Sequence, residues 1–344
     1  MCLETARQAI DIAIQHSEDK NMGIIFFGGE PLLLPELIED IIYYCRHIEK
    51  KQNFKFHYKI TTNGILLNEE TLTRLLKNEI MVALSHDGIQ LVHDSQRVFP
   101  DGRGSFEVLD EVINLLLDSQ PYAPVLCVTT PENVNHYYEC IKYLLDRGFK
   151  YIISSLNYAG RWNDSSIKVL EKQYKKLARL YVNLTLKEEK FYLSMLEKKI
   201  ASRIHPEYSI SCKAGRRQIS VDPEGIFYPC VQFVGREEYE IGDIYSGLNF
   251  KKQEKIFCLN EEDKEDCLGC VLNRRCHNKC GCLNLQTTGS LRRVPAILCE
   301  QQRLLIPIVD KAASQLFKLR SPMFIQKHYN ELYPVISFLE DLMV

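Results

Sequence analysis

Cysteine is the residue type in this chain whose number and spacing could do chemistry. Thirteen are present in 344 residues, and nine of them lie between positions 212 and 299. Twelve residues separate Cys212 from Gly225, and four separate Gly225 from Cys230. Cys267, Cys270, Cys276 and Cys280 then form a C-x2-C-x5-C-x3-C run, with Cys299 beyond it. A CxxC loop lets two thiolates reach one metal or cluster without strain. Four cysteines in a tetrahedron suit zinc, and four thiolates equally hold an iron–sulfur cluster. Spacing alone leaves both open. Seven soft ligands exceed what one mononuclear site takes, so two centres are expected.

Composition sets the surroundings. The chain is 45% apolar and 26% charged, close to the average for a globular protein. Its net charge of −2 gives no basic field for nucleic acid and none for a membrane surface. No stretch approaches the length and apolarity of a membrane span, and Met1 to Gln15 reads as a helix without signal-peptide features. A cytoplasmic location is expected. In that compartment clustered cysteines hold metal or react more often than they form disulfides.

The elements that must position these residues fall into two patterns. Through residue 160, helices alternate with short apolar runs. Gly23–Phe27, Lys55–Thr62, Ile80–Ser85, Val125–Thr129 and Tyr151–Leu156 read as five strands, the first of them buried. Asn68 and Ser105 read as helix caps. Strands separated by helices of this length predict βαβ units, an α/β fold with a parallel sheet. Asp164 to about Lys190 reads as one long helix, because Leu170, Tyr174, Leu177, Tyr181 and Leu184 form a stripe. Beyond residue 211 the chain is rich in Gly, Asp and Cys, with short strands at Gln218–Val221 and Ile226–Tyr228. A helix from Glu300 to about Phe317 closes it. In α/β sheets ligands bind at the carboxyl ends of strands. Gly28-Gly29-Glu30-Pro31, Thr62-Asn63 and Ser85-His86-Asp87 all fall there and point to one shared pocket.

The GGEP turn, TTNG at 61–64, SHDG at 85–88 and the seven-cysteine spacing together resemble a radical S-adenosylmethionine enzyme with a C-terminal SPASM domain, over nearly the whole chain. The resemblance implies a partial (β/α)6 barrel missing its first strand over residues 1–160. A helical linker at 161–211, a small Cys-rich α+β SPASM domain at 212–299 and a C-terminal helical segment at 300–344 follow. It also implies two auxiliary 4Fe–4S clusters. Cys267, Cys270, Cys276 and Cys299 would hold one, and Cys212, Cys230 and Cys280 the other. Gly28, Gly29, Glu30 and Pro31 would receive the methionine end of S-adenosylmethionine, with Asn63, Ser85 and Asp87 elsewhere around it. No catalytic residue is assigned.

Two departures stand out. The family's CxxxCxxC loop, which holds a third cluster, is absent, and the resemblance places it just upstream of Met1. A truncated chain, inactive as written, is therefore expected. The stretch after Cys212 also lacks the further cysteine of sulfatase maturases, leaving one iron open; Cys258 and Cys282 are candidate replacements. Val231 follows Cys230 where sulfatase maturases carry an Asp base. CVQFVG and GCLN look more like maturases of ribosomally made Cys-rich peptides, of the group acting on Cxxx-repeat targets.

The implied reaction is hydrogen abstraction by a 5′-deoxyadenosyl radical, followed by thioether formation from a substrate cysteine. A Cys-rich precursor peptide and a flavodoxin- or ferredoxin-type reductant are the implied partners. Asp94, Arg97 and the turn at 101–104 are candidates for the peptide path, although a plain surface loop is the reading the residues favour. The competing reading is a non-catalytic iron–sulfur or zinc-binding protein that recognises a peptide.

Overall fold

The computed structural model describes residues 1–18, 20–206 and 213–333. Six parallel strands run in sequence order across one sheet: β1 (Asn21–Phe26), β2 (Lys55–Thr62), β3 (Ile80–Ser85), β4 (Pro124–Thr129), β5 (Tyr151–Leu156) and β6 (Tyr192–Leu193). The helices between and beyond them are α1 (Leu3–Gln15), α2 (Pro35–Gln52), α3 (Glu69–Lys77), α4 (Gln90–Gln96), α5 (Leu109–Ser119), α6 (Tyr137–Asp146), α7 (Asp164–Leu186) and α8 (Ser194–Ile204). The α/β class with a parallel sheet is the one the βαβ alternation dictates. Fully buried Ile60, Val82, Leu84, Val125 and Ile152 fill the sheet's covered surface, each contributing about 1.5–3 kcal/mol of apolar burial.

A four-stranded antiparallel sheet follows, built from β7 (Ser220–Val221), β8 (Ile226–Tyr228), β9 (Gly242–Asp243) and β10 (Gly247–Leu248). With it come α9 (Phe250–Glu261), α10 (Gly281–Thr288), α11 (Ala296–Lys318) and α12 (Pro322–Tyr329). A second apolar cluster of Phe227, Phe233, Ile241 and Leu285 includes Ala9 of α1, so the first helix serves both sheets. α11 packs across α7 and α8.

Three readings need correction. β1 is not buried. It is an edge strand, with Ile25 60% exposed and Met22, Ile24 and Phe26 only half-covered. Ser105 does not cap a helix: α5 begins at Leu109, and the Ser105 hydroxyl donates to the Arg97 carbonyl at 2.9 Å while contacting His93 Nε2 at 3.0 Å. The sheet has a sixth strand that five apolar runs did not announce. Asn68 does cap α3, accepting from the Thr71 amide at 2.8 Å. Among the described residues, no helix is long and apolar enough to cross a membrane.

Candidate functional site

At the carboxyl end of β1, Gly28 and Gly29 take φ values of +99° and +53° and are exposed. A side chain at either would be strained, and no other atom lies within 4 Å of where its Cβ would stand. The turn therefore offers bare peptide to a ligand. Glu30 follows and is held firmly. Its Oε1 accepts from the Thr62 hydroxyl at 2.8 Å and the Leu32 amide at 3.1 Å, and its Oε2 from the Asn63 amide at 2.8 Å. Pro31 opens the short turn Pro31–Leu33 that Glu30 caps. The Asn63 side chain closes its own turn by accepting from the Ile65 amide at 2.9 Å. Glu30, Thr62 and Asn63 thus form one knitted corner joining the ends of β1 and β2.

Ser85 is half-buried at the end of β3. Asp87 is turned inward and only 3% exposed. Its carboxylate accepts from Arg97 Nε at 2.7 Å and the Val128 amide at 2.9 Å, tying β3 to β4. Asp94 accepts from the Phe106 amide at 2.9 Å. Asp87, Asp94 and Arg97 accordingly brace loops through their side chains.

The thiols of the second half stand in two neighbourhoods. In one, Cys267 is buried with Val294 and Leu298, and Cys276 and Cys299 pack against them. Cys299 interacts electrostatically with Cys267 and Cys270, and Cys276 with Cys267 and Cys299. Burial pushes the Cys276 thiol up to about 11 and raises that of Cys299. In the other, Cys282 Sγ lies 3.4 Å from Cys280 Sγ, and Cys230 and Cys282 pack against the same apolar cluster. Interaction with Cys282 lowers the thiols of Cys230 and Cys280, and the same interactions raise that of Cys282. Cys212 lies outside the described residues. Cys258 is exposed on α9 with its thiol on Glu254, 3.3 Å away.

Three side chains that sequence reading passed over link these groups to the barrel. Tyr158, just past the end of β5, packs with Cys276 and Cys299 and interacts electrostatically with Cys276 and Cys280, one thiol from each neighbourhood. Its hydroxyl donates to Gln301 Oε1 at 2.6 Å. Its strand-end position was the available signal. Lys199, 2% exposed on α8, donates to the Arg275 carbonyl at 2.6 Å and places a cation beside Cys276. The Arg275 guanidinium grips Asp310 of α11 through two 2.8 Å bonds.

Among the described residues, no three His, Cys, Asp or Glu side chains converge as a single metal ion requires. Both neighbourhoods offer thiols, the donors that hold iron–sulfur clusters and structural zinc. The open glycine turn beside an anchored carboxylate likewise suits a small cationic ligand.

The Radical SAM superfamily profile matches residues 3–172. An uncharacterized protein of Methanocaldococcus jannaschii is 33% identical over 153 residues, 44% of this chain and 51% of its own length. The chain thus spans about half of that relative. A cysteine-type anaerobic sulfatase-maturating enzyme of Clostridium perfringens is 25% identical over 278 residues, 74% of this chain and 72% of that enzyme. The solved structure of native anSMEcpe with bound AdoMet superposes with a TM-score of 0.75 at 22% identity, covering 95% of this chain and 90% of that one. A further structure of anSMEcpe holds AdoMet and a Kp18Cys peptide.

Proposed function

Because this chain carries a radical SAM domain over residues 3–172 and is homologous to an anaerobic sulfatase-maturating enzyme, we propose that it is a radical SAM/SPASM peptide maturase. Its product is a thioether in a ribosomally made Cys-rich peptide. The observation that carries the proposal is the gathering of seven described cysteines into two thiol neighbourhoods, with Tyr158 of the strand-end face against both.

S-adenosylmethionine and iron–sulfur clusters, when bound, supply the radical and electron-transfer chemistry. The chain's own residues bind and orient. Gly28 and Gly29 present peptide groups to the methionine end, and Glu30 fixes that turn against β2. Asp87 ties the end of β3 to β4, where Ser85 pairs with Leu126. Cys267, Cys270, Cys276 and Cys299 hold one auxiliary cluster; Cys230 and Cys280, with Cys212, belong to the other. Residues 1–344 contain no CxxxCxxC loop, and no step is assigned to a cluster in such a loop. Val231 after Cys230 offers no carboxylate for the proton removal that sulfatase maturation requires, which favours a thioether product.

Anaerobic co-expression from the genomic locus with its neighbouring Cys-rich reading frame tests this. The peptide should lose two hydrogens per bond formed, one from carbon and one from sulfur, and one cysteine per bond should resist alkylation. An unmodified peptide recovered in complex with the protein would instead establish the binding-module reading.

A further inference from the structure

We propose that Lys199 is the buried counter-cation of the centre held by Cys267, Cys270, Cys276 and Cys299, and that it sets the reduction potential of that centre. The proposal rests on the two-cluster reading above and adds one residue to it. Lys199 lies on α8 and is 2% exposed. Its ammonium donates at 2.6 Å to the Arg275 carbonyl, the oxygen of the peptide unit that leads into Cys276. The Arg275 guanidinium in turn donates to the Lys199 carbonyl at 2.9 Å. Helix α8 and the turn Asn273–Arg275 are thus tied in both directions, and the ammonium is fixed beside the backbone of a cluster ligand.

What this cation lacks is an anion. Among the described residues no carboxylate pairs with Lys199; Cys276 alone favours its charge, while Arg275 and Lys198 oppose it. Asp310 is engaged elsewhere, by Arg275 through two 2.8 Å bonds and by Arg203 at 3.5 Å. An ammonium taken out of water without a counter-charge is costly. The Arg275 carbonyl also uses only one of its three donors. A 4Fe–4S core on four thiolates is a net anion, and its potential follows net charge and the hydrogen bonds to its sulfurs. Such a centre at Cys276 supplies the counter-charge that Lys199 lacks and sulfur acceptors for its spare N–H groups.

Reduction adds one electron to that anion and so deepens its attraction to a fixed cation. The ammonium therefore favours the reduced form and holds the potential up. No bond forms or breaks, and dithionite supplies the electron in the titration.

The test is anaerobic reconstitution of the wild-type chain, Lys199→Gln, Lys199→Arg and Lys198→Gln, followed by redox titration read by EPR. Lys199→Gln keeps a donor and removes the charge, Lys199→Arg keeps the charge, and Lys198→Gln removes the same charge from the exposed neighbouring position. The signal missing from Cys299→Ala identifies the centre. Wild type should carry about eight irons, four to each of two clusters. In Lys199→Gln the ratio of oxidised to reduced centre at a fixed potential should rise about tenfold, a fall of about 59 mV for one electron. The other centre should not move, Lys199→Arg should restore the wild-type value, and Lys198→Gln should match wild type. Loss of this centre's iron in Lys199→Gln, regained in Lys199→Arg, would equally support the role of the charge. An unchanged potential in Lys199→Gln, an equal fall in Lys198→Gln, or iron lost from both Lys199 variants would overturn the proposal and leave the two-cluster reading standing. Wild type that takes up no iron would overturn that reading itself.

Discussion

The Thr62 hydroxyl donates to Glu30 Oε1 at 2.8 Å, so the end of β2 holds the carboxylate that follows the glycine pair of β1. Neighbouring parallel strands are thereby coupled at the face where a ligand would sit. Thr62→Val removes a bond to a charged acceptor, worth about 1.5–3 kcal/mol. It also deprives the Gly64 amide of the acceptor it has at 3.0 Å. The fold should survive, since Thr62 contributes no apolar contact that Val lacks. S-adenosylmethionine affinity should fall about tenfold or more, for a loss of about 1.4 kcal/mol, measured by equilibrium dialysis. Unchanged affinity would show that this corner does not shape the site.

His86 and His93, both fully buried, lie with ring centroids 4.2 Å apart. Each Nδ1 accepts from a backbone amide, His86 from Gly88 at 3.1 Å and His93 from Asp87 at 3.4 Å. Protonation would break those bonds and bury a charge. Burial accordingly pushes His86 down to about 2 and His93 down to about 4. Their pKa values are lower folded than unfolded, so below about 6.5 the unfolded chain binds more protons and stability falls with pH. By pH 5 each ring should cost about 2 kcal/mol. Urea midpoints measured from pH 7 to pH 5 should drop steeply. His277 and His328, held down to about 3 by burial, act in the same direction, so His93→Gln should flatten the curve only in part. An equal slope in that variant would contradict the assignment.

Arg275 and Asp310 form a two-pronged pair joining the residue before Cys276 to the helix that carries Cys299. Asp310→Asn should cost about 1.5–3 kcal/mol, the range for hydrogen bonds to charged groups. The exposed pair Arg303–Glu300 is a control, where Arg303→Gln should cost under about 1 kcal/mol. Reconstituted Asp310→Asn should also lose iron faster on desalting. Iron retention equal to that of Arg303→Gln would show that the pair braces only the fold.

Tyr158→Phe removes the hydroxyl that donates to Gln301 Oε1. Gln301 Oε1 keeps the Gln302 amide at 3.1 Å, so stability should fall by only about 1 kcal/mol. Because Tyr158 faces a thiol from each neighbourhood, both cluster signals should shift in the EPR spectrum. Tyr181→Phe, which changes a hydroxyl on His328 3.1 Å away, should leave them unmoved. Identical spectra for the two variants would remove Tyr158 from the cluster environment.

Regular apolar spacing made much of the barrel legible. Lys55–Thr62, Ile80–Ser85 and Tyr151–Leu156 are strands over the spans expected, because a covered parallel strand needs an apolar run and these have one. β6 is two residues long and carries no pattern to read. α9 and α10 escaped notice because the segment from 250 to 288 mixes Cys, Asn and Lys with few apolar residues. Ser105 resembled a cap by type, but its hydroxyl serves Arg97 and His93, a tertiary contact invisible to local spacing. Cysteine spacing marked both thiol groups. It could not show that Cys282 Sγ lies against Cys280 Sγ, since that depends on how the turn into α10 is built.

The most direct measurement is the metal content of the chain purified and reconstituted without oxygen, read together with its visible and EPR spectra. The expected result is a brown protein with about eight irons and matching acid-labile sulfide, and a paramagnetic signal on reduction. A colourless protein holding one or two zinc ions, with no signal on reduction, would contradict the assignment of iron–sulfur clusters to these thiols.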